Sequence, residues 1–147
     1  MAEESMITAE MRSQIGKESE DVILEVEKRV LQMYLDAVED ANPRWQDIAP
    51  PNLLCTVLAG AGAGRAELQT SYPRLGLPSG DELELFRPIR VGDVITSRAK
   101  LADIQERVVR DGSRRLTIIV EATYTNQKGE LVGKNRSLTM SWRPKQA

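Results

Sequence analysis

The stretch EDANPRWQD, residues 39–47, places a carboxylate, an Asn-Pro turn and a tryptophan within six residues of chain. A carboxylate that a rigid turn holds in place can act as a general base towards a bound water. Asp40 alone would be a weak base at neutral pH, because the pKa of an ordinary aspartate is about 4. Histidine is the usual partner for such work, and the chain contains none. The stretch therefore has the form of a catalytic loop without its main base.

Each residue of this loop also has a simpler interpretation. Asp40 can be a turn residue that caps the Asn-Pro bend. Trp45 carries one N–H donor and no basic nitrogen, so it is either an apolar plug or a surface on which a substrate stacks. Without histidine, Ser-His and Cys-His pairs and zinc sites of the His/Cys type are excluded. Cys55, the single cysteine, lies among aliphatic residues, which favours a buried structural thiol over a nucleophile.

Composition narrows the functional classes further. The net charge is −2 and the pI about 5.3, so no overall positive field favours nucleic acid. The N-terminal MAEESM lacks an apolar segment typical of a signal peptide, and the weakly polar run 53–64 is too short to cross a membrane. With one cysteine no intrachain disulfide forms, and we expect a cytoplasmic protein. The basic cluster that flanks the Asp-Gly turn is either a solvated hairpin end or a contact for an anionic ligand: Arg107, Arg110, Arg114 and Arg115.

The elements around the loop follow from the spacing of apolar residues. A short helix capped by Thr8 and ended by Gly16 precedes a strand at 21–26. Residues 27–39 form an amphipathic helix, because apolar residues recur at positions i, i+4, i+7 and i+8. Pro43 cannot continue that helix. The apolar face of the helix comprises Val30, Tyr34, Ala37 and Val38, widened by Leu31 and Leu35.

The rest of the sequence, after the Asn-Pro loop, predicts an α+β fold. APPNLLCTVLAG, residues 49–60, predicts a helix that is apolar nearly all round and therefore buried nearly all round. The glycines at 60, 62 and 64 follow a helix without a nucleotide-binding spacing, so they indicate a helix exit. We expect a loop over 65–80 and then four antiparallel strands, at 81–89, 93–109, 114–127 and 131–142. The chain is predicted to be a single domain, 1–147, with residues 1–9 flexible.

Four segments carry a resemblance to a known family: YLDAVEDANPRWQD, APPNLL, LELFRPIRVGDVITSRAKLADI and TYTNQKGELVGKNRS. In their order and spacing they resemble the MaoC-like dehydratases and R-specific enoyl-CoA hydratases. Within that family they are most similar to the N-terminal, non-catalytic half of two-part 3-hydroxyacyl dehydratases. The resemblance spans roughly residues 10–143. It implies a hot-dog fold, in which a curved antiparallel sheet wraps around a buried central helix.

The same resemblance assigns roles to the loop. Catalytic members read Gly-Asp-x-Asn-Pro-x-His, and their Asp and His activate the water that adds across the double bond of an enoyl thioester. Asp40, Asn42 and Pro43 match this pattern, whereas Glu39 replaces the glycine and Trp45 the histidine. In the family, backbone N–H groups at the start of the central helix hold the thioester oxygen. In this chain those groups would belong to Asn52 and Leu53.

The resemblance thus implies a non-catalytic or degenerate subunit that shapes the acyl pocket for a histidine-bearing MaoC-like partner. The substrate would be an acyl-CoA or acyl-carrier-protein thioester, with no cofactor, no metal, no nucleic acid and no membrane involved. Asp40 would be the degenerate catalytic residue, and Asn42, Trp45, Asn52 and Leu53 would line the substrate site. Two alternatives stay open. One is a homo-oligomeric enzyme, such as a homodimer, of divergent, thioesterase-like activity that uses Asp40 or Asp93 with an imported base. The other is a non-catalytic acyl-CoA binding protein.

Overall fold

A computed structural model describes residues 4–143 of the chain, which form seven strands and three helical segments besides short turns. Two α-helices precede most of the sheet, α1 (Ala9–Ser13) and α2 (Lys28–Ala37). A 3-10 turn, Pro51–Leu53, runs directly into a π-helical turn, Leu54–Leu58, and we name the two together the central helix. The strands are β1 (Val22–Glu25), β2 (Ile48–Ala49), β3 (Leu75–Leu85), β4 (Ile89–Arg90), β5 (Val94–Val108), β6 (Arg114–Thr125) and β7 (Leu131–Trp142).

Five strands form one antiparallel sheet in the order β1-β5-β6-β7-β3, and β2 and β4 form a separate short ribbon. The alternation predicted for β6 is confirmed, since the side chains from Leu116 to Tyr124 that share its inner face are buried or half-buried. Glycines with positive φ stand in both hairpin loops, Gly112 with φ 80° and Gly129 with φ 74°. The sheet curls around the central helix, as the α+β hot-dog prediction required.

The N-terminal residues lie against the sheet. Thr8 caps α1 as predicted, because its hydroxyl accepts a hydrogen bond from the Met11 N–H at 3.1 Å. We expected residues 1–9 to be flexible; residues 1–3 lie outside the described part, and the next few are docked. The N–H of Met6 donates to Glu106 at 2.6 Å, and the Tyr72 hydroxyl donates to the Met6 carbonyl at 2.8 Å. We name residues 4–13 the N-terminal strap. It packs on an apolar cluster that is separate from the core around the central helix and includes Leu101, Ile104, Leu116 and Ile118.

The apolar face of α2 is rotated relative to the prediction. Leu31 and Leu35 are its buried residues, whereas Val38 is 51% exposed. The helix ends at Ala37, so the last predicted face position, Val38, belongs to the turn that follows and need not point at the core. The side of α2 that faces the core therefore centres on Leu31 and Leu35, with Tyr34 beside them.

Two expectations about the middle of the chain are wrong. The central helix is buried on one side only: Leu53, Leu54 and Leu58 are buried, but Asn52 and Thr56 are exposed. An apolar pattern alone does not tell whether a residue is covered by its own chain or left at the surface. The second correction concerns β3, which begins at Leu75, inside the predicted loop over 65–80. Pro78 is tolerated there because β3 is an edge strand, and the register shifts between Pro78 and Gly80.

Candidate functional site

The candidate loop begins where α2 ends. Glu39 has φ 55°, the left-handed conformation that glycine adopts without strain, and it stands where the resemblance places a glycine. The Asp40 N–H then donates to the Leu35 carbonyl at 3.0 Å. The chain thereby turns sharply off the helix and enters the Asn-Pro bend. The backbone geometry of a glycine is thus kept here by a residue that carries a side chain.

Both carboxylate oxygens of Asp40 accept hydrogen bonds within the loop. Oδ1 accepts from the Asn42 N–H at 3.0 Å, and Oδ2 accepts from the indole N–H of Trp45 at 2.8 Å. Asn42 acts similarly one step later, because its Oδ1 accepts from the Arg44 N–H at 3.1 Å and caps the 3-10 turn Pro43–Gln46. The structure therefore brings Asp40, Asn42 and Trp45 together in one hydrogen-bonded turn.

Trp45 lies between two open grooves. It is half-buried and packs against the apolar core that α2, the central helix and the inner face of the sheet form together, while the Arg44 guanidinium lies 5.5 Å from its ring centroid. A groove of about 560 Å³ lies between α2 and the loop, and both Asp40 and Asn42 line it. On the other side of the indole a groove of about 320 Å³ is lined mainly by apolar groups, among them Ile48 and Phe86. The indole thus forms the wall between a polar and an apolar groove.

The start of the central helix differs in part from the prediction. Asn52 is exposed, and its side-chain amide donates to the Tyr34 hydroxyl at 3.3 Å. Leu53 is buried, and its N–H donates to the Pro50 carbonyl at 3.0 Å. The Leu53 N–H is therefore engaged in the 3-10 turn and is not oriented at a ligand. Tyr34 was not foreseen as a neighbour of this site, although its place on the apolar face of α2 is the signal that could have found it.

Other candidate residues have structural partners. Asp93 is buried, and its carboxylate accepts from the Arg90 N–H at 2.8 Å and from the Gln127 amide at 3.0 Å, which holds the turn before β5. In the basic cluster, Arg114 forms an ion pair with Glu106 at 3.0 Å.

Cys55 is half-buried on the central helix. Burial, and after it the negative charge of Asp81, raises the pKa of its thiol. A raised pKa leaves less thiolate at neutral pH, which supports the interpretation of Cys55 as a structural residue rather than a nucleophile.

Between residues 4 and 143, no group of three or more histidine, cysteine, aspartate or glutamate side chains could hold a metal ion. Within the same range, no helix has the length and apolar character needed to cross a bilayer.

A family model and a sequence relative each match most of this chain. A family model described as "FAS1-like, dehydratase domain region" matches residues 13–135. A UPF0336 protein from Thermobifida fusca (strain YX) is 30% identical over 118 residues, which cover 69% of this chain and 74% of that protein.

Two solved structures share the fold. The ChsH1-ChsH2 complex from Mycobacterium tuberculosis has a TM-score of 0.70 at 13% identity, covering 94% of this chain and 92% of that chain. The C-terminally truncated HadBC (3R-hydroxyacyl-ACP dehydratase) complex from the same organism has a TM-score of 0.61 at 16% identity. The match to the latter covers 81% of this chain and 90% of that chain. The curled sheet, the central helix and the family match together confirm the hot-dog fold, and the chain belongs to the FAS1-like dehydratase domain family.

Proposed function

We propose that this chain is a catalytically degenerate subunit of a heteromeric enoyl-thioester hydratase or 3-hydroxyacyl-thioester dehydratase. The observation that carries the proposal is the hydrogen bond from the Trp45 indole to Asp40 Oδ2. In the family pattern, residue 45 would be the histidine that shares the work of activating water with the aspartate. Here the residue at that position donates to the carboxylate and has no basic nitrogen with which to accept a proton. Asp40 thus has a hydrogen-bonded partner but no base beside it.

The missing base must come from another chain. A positioned general base contributes about 10²–10⁴ in rate, and an ordinary exposed aspartate is mostly too acidic to supply it at neutral pH. The chain has no histidine, and Asp93, the other candidate acid, accepts hydrogen bonds from Arg90 and Gln127. A histidine-bearing MaoC-like partner would supply the chemistry, and the two subunits would act in the cytoplasm.

The proposed contribution of this chain is to shape the pocket. The polar groove at Asp40 and Asn42 and the apolar groove behind Trp45 would accept different parts of an acyl-CoA or acyl-carrier-protein thioester. Asn52 would contact the thioester from the start of the central helix, and buried Leu53 would form part of the apolar wall. Partnering is supported by two structural neighbours, the HadBC and ChsH1-ChsH2 complexes, which are described as complexes of subunits.

The test compares the pure chain with the chain co-purified with a histidine-bearing hot-dog chain of the same genome. Hydration of crotonyl-CoA and of a long-chain enoyl-CoA is followed for each sample. The pure chain should not exceed the rate measured without protein, and the complex should turn over. Replacing the partner's histidine with alanine should abolish that activity. Turnover by the pure chain would contradict the proposal and favour a homodimer with its own activity, whereas thioester binding without turnover and without any partner would favour a binding protein.

A further inference from the structure

Strand β7 carries polar side chains at every second position of its inner face, and we name this row the polar stripe: Asn135, Ser137, Thr139 and Ser141. In the β6–β7 register they lie opposite the apolar inner-face residues of β6, in that order: Ala122, Val120, Ile118 and Leu116. Polar groups that are shielded from water need hydrogen-bond partners, because their burial is otherwise costly. The partners of the stripe therefore indicate what this face can hold.

The two ends of the stripe have partners, and its middle has none. The Asn135 amide donates to Asp81 at 3.0 Å, and the Ser141 hydroxyl donates to a carbonyl of β3 at 2.7 Å. Ser137 and Thr139 are half-buried, and their hydroxyls form no hydrogen bond within the described part of the chain. The middle of the stripe thus offers two hydroxyl groups to a ligand.

The Arg74 guanidinium lies at the Ser141 end of the stripe. It donates to the Leu68 carbonyl at 3.2 Å and to the Ser141 hydroxyl at 3.4 Å, which are both neutral acceptors. Arg74 is half-buried, and the ion pairs among residues 4–143 do not include it. A guanidinium carries five N–H donors and a permanent charge. Arg74 therefore retains donors and an uncompensated charge for an anion.

Gly76 brings this guanidinium beside the free hydroxyls. A Cβ at residue 76 would lie 3.3 Å from Thr139 Cγ2 and 3.7 Å from Arg74 Nη1. Both side chains therefore pass over the same glycine of β3. The missing side chain at residue 76 leaves the space in which the guanidinium and the Thr139 side chain lie close together.

These groups line a groove of about 210 Å³, which we name the Arg74 groove. Ile118 and Val120 give it an apolar wall, and the exposed Arg65 and Glu67 border it on the loop that follows the central helix. Sites for drug-sized ligands measure about 300–1,000 Å³. The Arg74 groove therefore suits a small molecule or one end of a longer one.

The charges around the groove select the kind of anion. Arg74 is its one half-buried cation, and Arg65 and Glu67 at the border have opposite charges. Asp81 lies opposite Ser137 in the β3–β7 register, so its charge disfavours an anion at that end of the stripe. A singly charged group beside Arg74 and Thr139 is compensated by the guanidinium, whereas a doubly charged phosphate is compensated only in part.

We propose that the Arg74 groove binds the carboxylate of an aliphatic ligand. The guanidinium donates to the carboxylate oxygens, the Thr139 hydroxyl adds a further donor, and the aliphatic part lies against Ile118 and Val120. The planar fork of a guanidinium matches the geometry of a carboxylate. The carboxylate belongs either to a short-chain acid or to the free end of a dicarboxylic acyl group, since both present the same chemistry. The inference goes beyond the proposed function, because it requires neither a partner chain nor the Asp40 loop.

The test follows binding of sodium butyrate to the pure chain by NMR at constant ionic strength, using the amide signals of Gly76 and Thr139. The wild type should bind butyrate with a dissociation constant on the order of 1 mM, and the neutral isostere butyramide at least about tenfold more weakly. Arg74→Gln should weaken butyrate binding by about tenfold or more. Arg136→Gln is the matched control, because it removes the same charge from the exposed opposite face of β7, and it should change the affinity by less than about twofold.

Thr139→Val removes one hydroxyl at nearly constant shape and should weaken butyrate binding about threefold to tenfold. This variant and the butyramide comparison keep the proposal testable if thermal unfolding shows that Arg74→Gln does not fold. Equal affinity for butyrate and butyramide, equal effects of Arg74→Gln and Arg136→Gln, or no saturable shift of the two amide signals would each overturn the proposal. Inorganic phosphate that binds at the same signals more tightly than butyrate would overturn the assignment to a carboxylate.

A second titration distinguishes the two sources of the carboxylate. Glutaryl-CoA and valeryl-CoA have acyl chains of equal length, and only the former ends in a carboxylate. Shifts of the Gly76 and Thr139 signals by glutaryl-CoA alone, lost in Arg74→Gln, would support the end of an acyl group. Shifts by free butyrate and glutarate but by neither thioester would support a short-chain acid. Equal shifts by both thioesters would overturn the proposal, because the groove would then not recognise the carboxylate.

Discussion

The indole N–H of Trp45 donates to Oδ2 of Asp40 over 2.8 Å, across five residues of one loop. The side chain at position 45 therefore points at the carboxylate that the family pattern pairs with histidine. The indole at position 45 donates a hydrogen bond to that carboxylate and, unlike an imidazole, has no basic nitrogen that can accept a proton. This relationship makes the loop testable by substitution at a single site.

Trp45→His should introduce weak hydration of an enoyl-CoA. An imidazole at position 45 has an ordinary pKa of about 6.5, which suits a base at neutral pH, and it would lie near the Asp40 carboxylate. Loss of the half-buried indole should cost about 1–3 kcal/mol of unfolding free energy. Activity is measured on the purified variant with crotonyl-CoA.

The control for that experiment adds Asp40→Asn to Trp45→His. The double variant should lose the new activity, because the carboxylate that orients the imidazole is gone. Activity that survives this change would mean that residues 40 and 45 do not share a site. A folded Trp45→His protein with no activity would mean that the pocket has been lost together with the base.

Glu39→Gly should stabilise the fold by about 0.5–1 kcal/mol. The left-handed conformation of Glu39, with φ 55°, costs a residue with a side chain about 1–2 kcal/mol, and the added freedom of glycine in the unfolded chain offsets part of the gain. Glu39→Ala is the control, since it removes the charge and keeps the strain; it should stay within about 0.5 kcal/mol of wild type. Denaturant unfolding measures both, and equal gains for Gly and Ala would contradict the explanation by backbone strain.

Gly64→Ala should destabilise the chain by about 2–4 kcal/mol. Gly64 has φ 71°, and a Cβ there would overlap the hydroxyl of buried Tyr124, so strain and overpacking add. Gly62 has φ 101°, and a Cβ there would meet open space. Gly62→Ala should therefore lose only the free energy of the backbone strain, about 1 kcal/mol. In a Tyr124→Phe background the cost of Gly64→Ala should fall to the Gly62→Ala level, and an unchanged cost would exclude the overlap.

Asp81→Asn should speed the alkylation of Cys55 by iodoacetamide. Burial raises the pKa of the thiol most, and the charge of Asp81 raises it further, so removal of that charge lowers the pKa and increases the thiolate fraction at a given pH. The chain has one cysteine, which makes the rate unambiguous. The pH profile of the rate should shift to lower pH in Asp81→Asn and stay unchanged in Glu82→Gln. A change in rate without a shift of the profile would indicate altered access instead.

Asp21 provides a test of pH dependence. A hydrogen bond from Arg98 at 2.7 Å holds the pKa of Asp21 below its usual 3.8, so the folded chain binds this proton less readily than the unfolded chain. The stabilisation is present at neutral pH and is lost as the pH falls below the unfolded value towards the folded one. Arg98→Gln should raise the pKa of Asp21 in an NMR titration, whereas Lys100→Gln, whose cation pairs with Glu121, should leave it unchanged.

Local patterns were sufficient for much of this fold. The Thr8 cap, the two hairpin turns and the inner face of β6 follow from short-range chemistry, and all are confirmed. The start of β3 was missed because Pro78 and its neighbouring glycines are turn signals, and only the tertiary position of the strand at a sheet edge makes them compatible with pairing. The exposed side of the central helix was missed because hydropathy does not tell which chain covers a residue.

In the candidate site, too, contacts within a short segment could be predicted from the sequence, and contacts that depend on the fold could not. The proximity of Asp40, Asn42 and Trp45 depends on a short loop, so their spacing sufficed to bring them together. The Leu53 N–H donates to the Pro50 carbonyl because the turn is a 3-10 helix. The apolar pattern does not distinguish a 3-10 helix from an α-helix. The Asp81–Asn135 bond joins residues 54 positions apart, and it follows from the register of β3 against β7.

The N-terminal strap has a consequence for the order in which the chain folds. The Met6 N–H donates a hydrogen bond to Glu106, which is 100 residues away in the sequence. Met11 is buried against side chains from β5 and β6. At about 5–20 residues per second, Met6 is synthesised roughly 5–20 s before its partner. The hairpins of β5, β6 and β7 close through nearer contacts and can form first, since non-local pairings are slow. The strap is thus synthesised well before Glu106 and is expected to be among the last of the described segments to reach its native position.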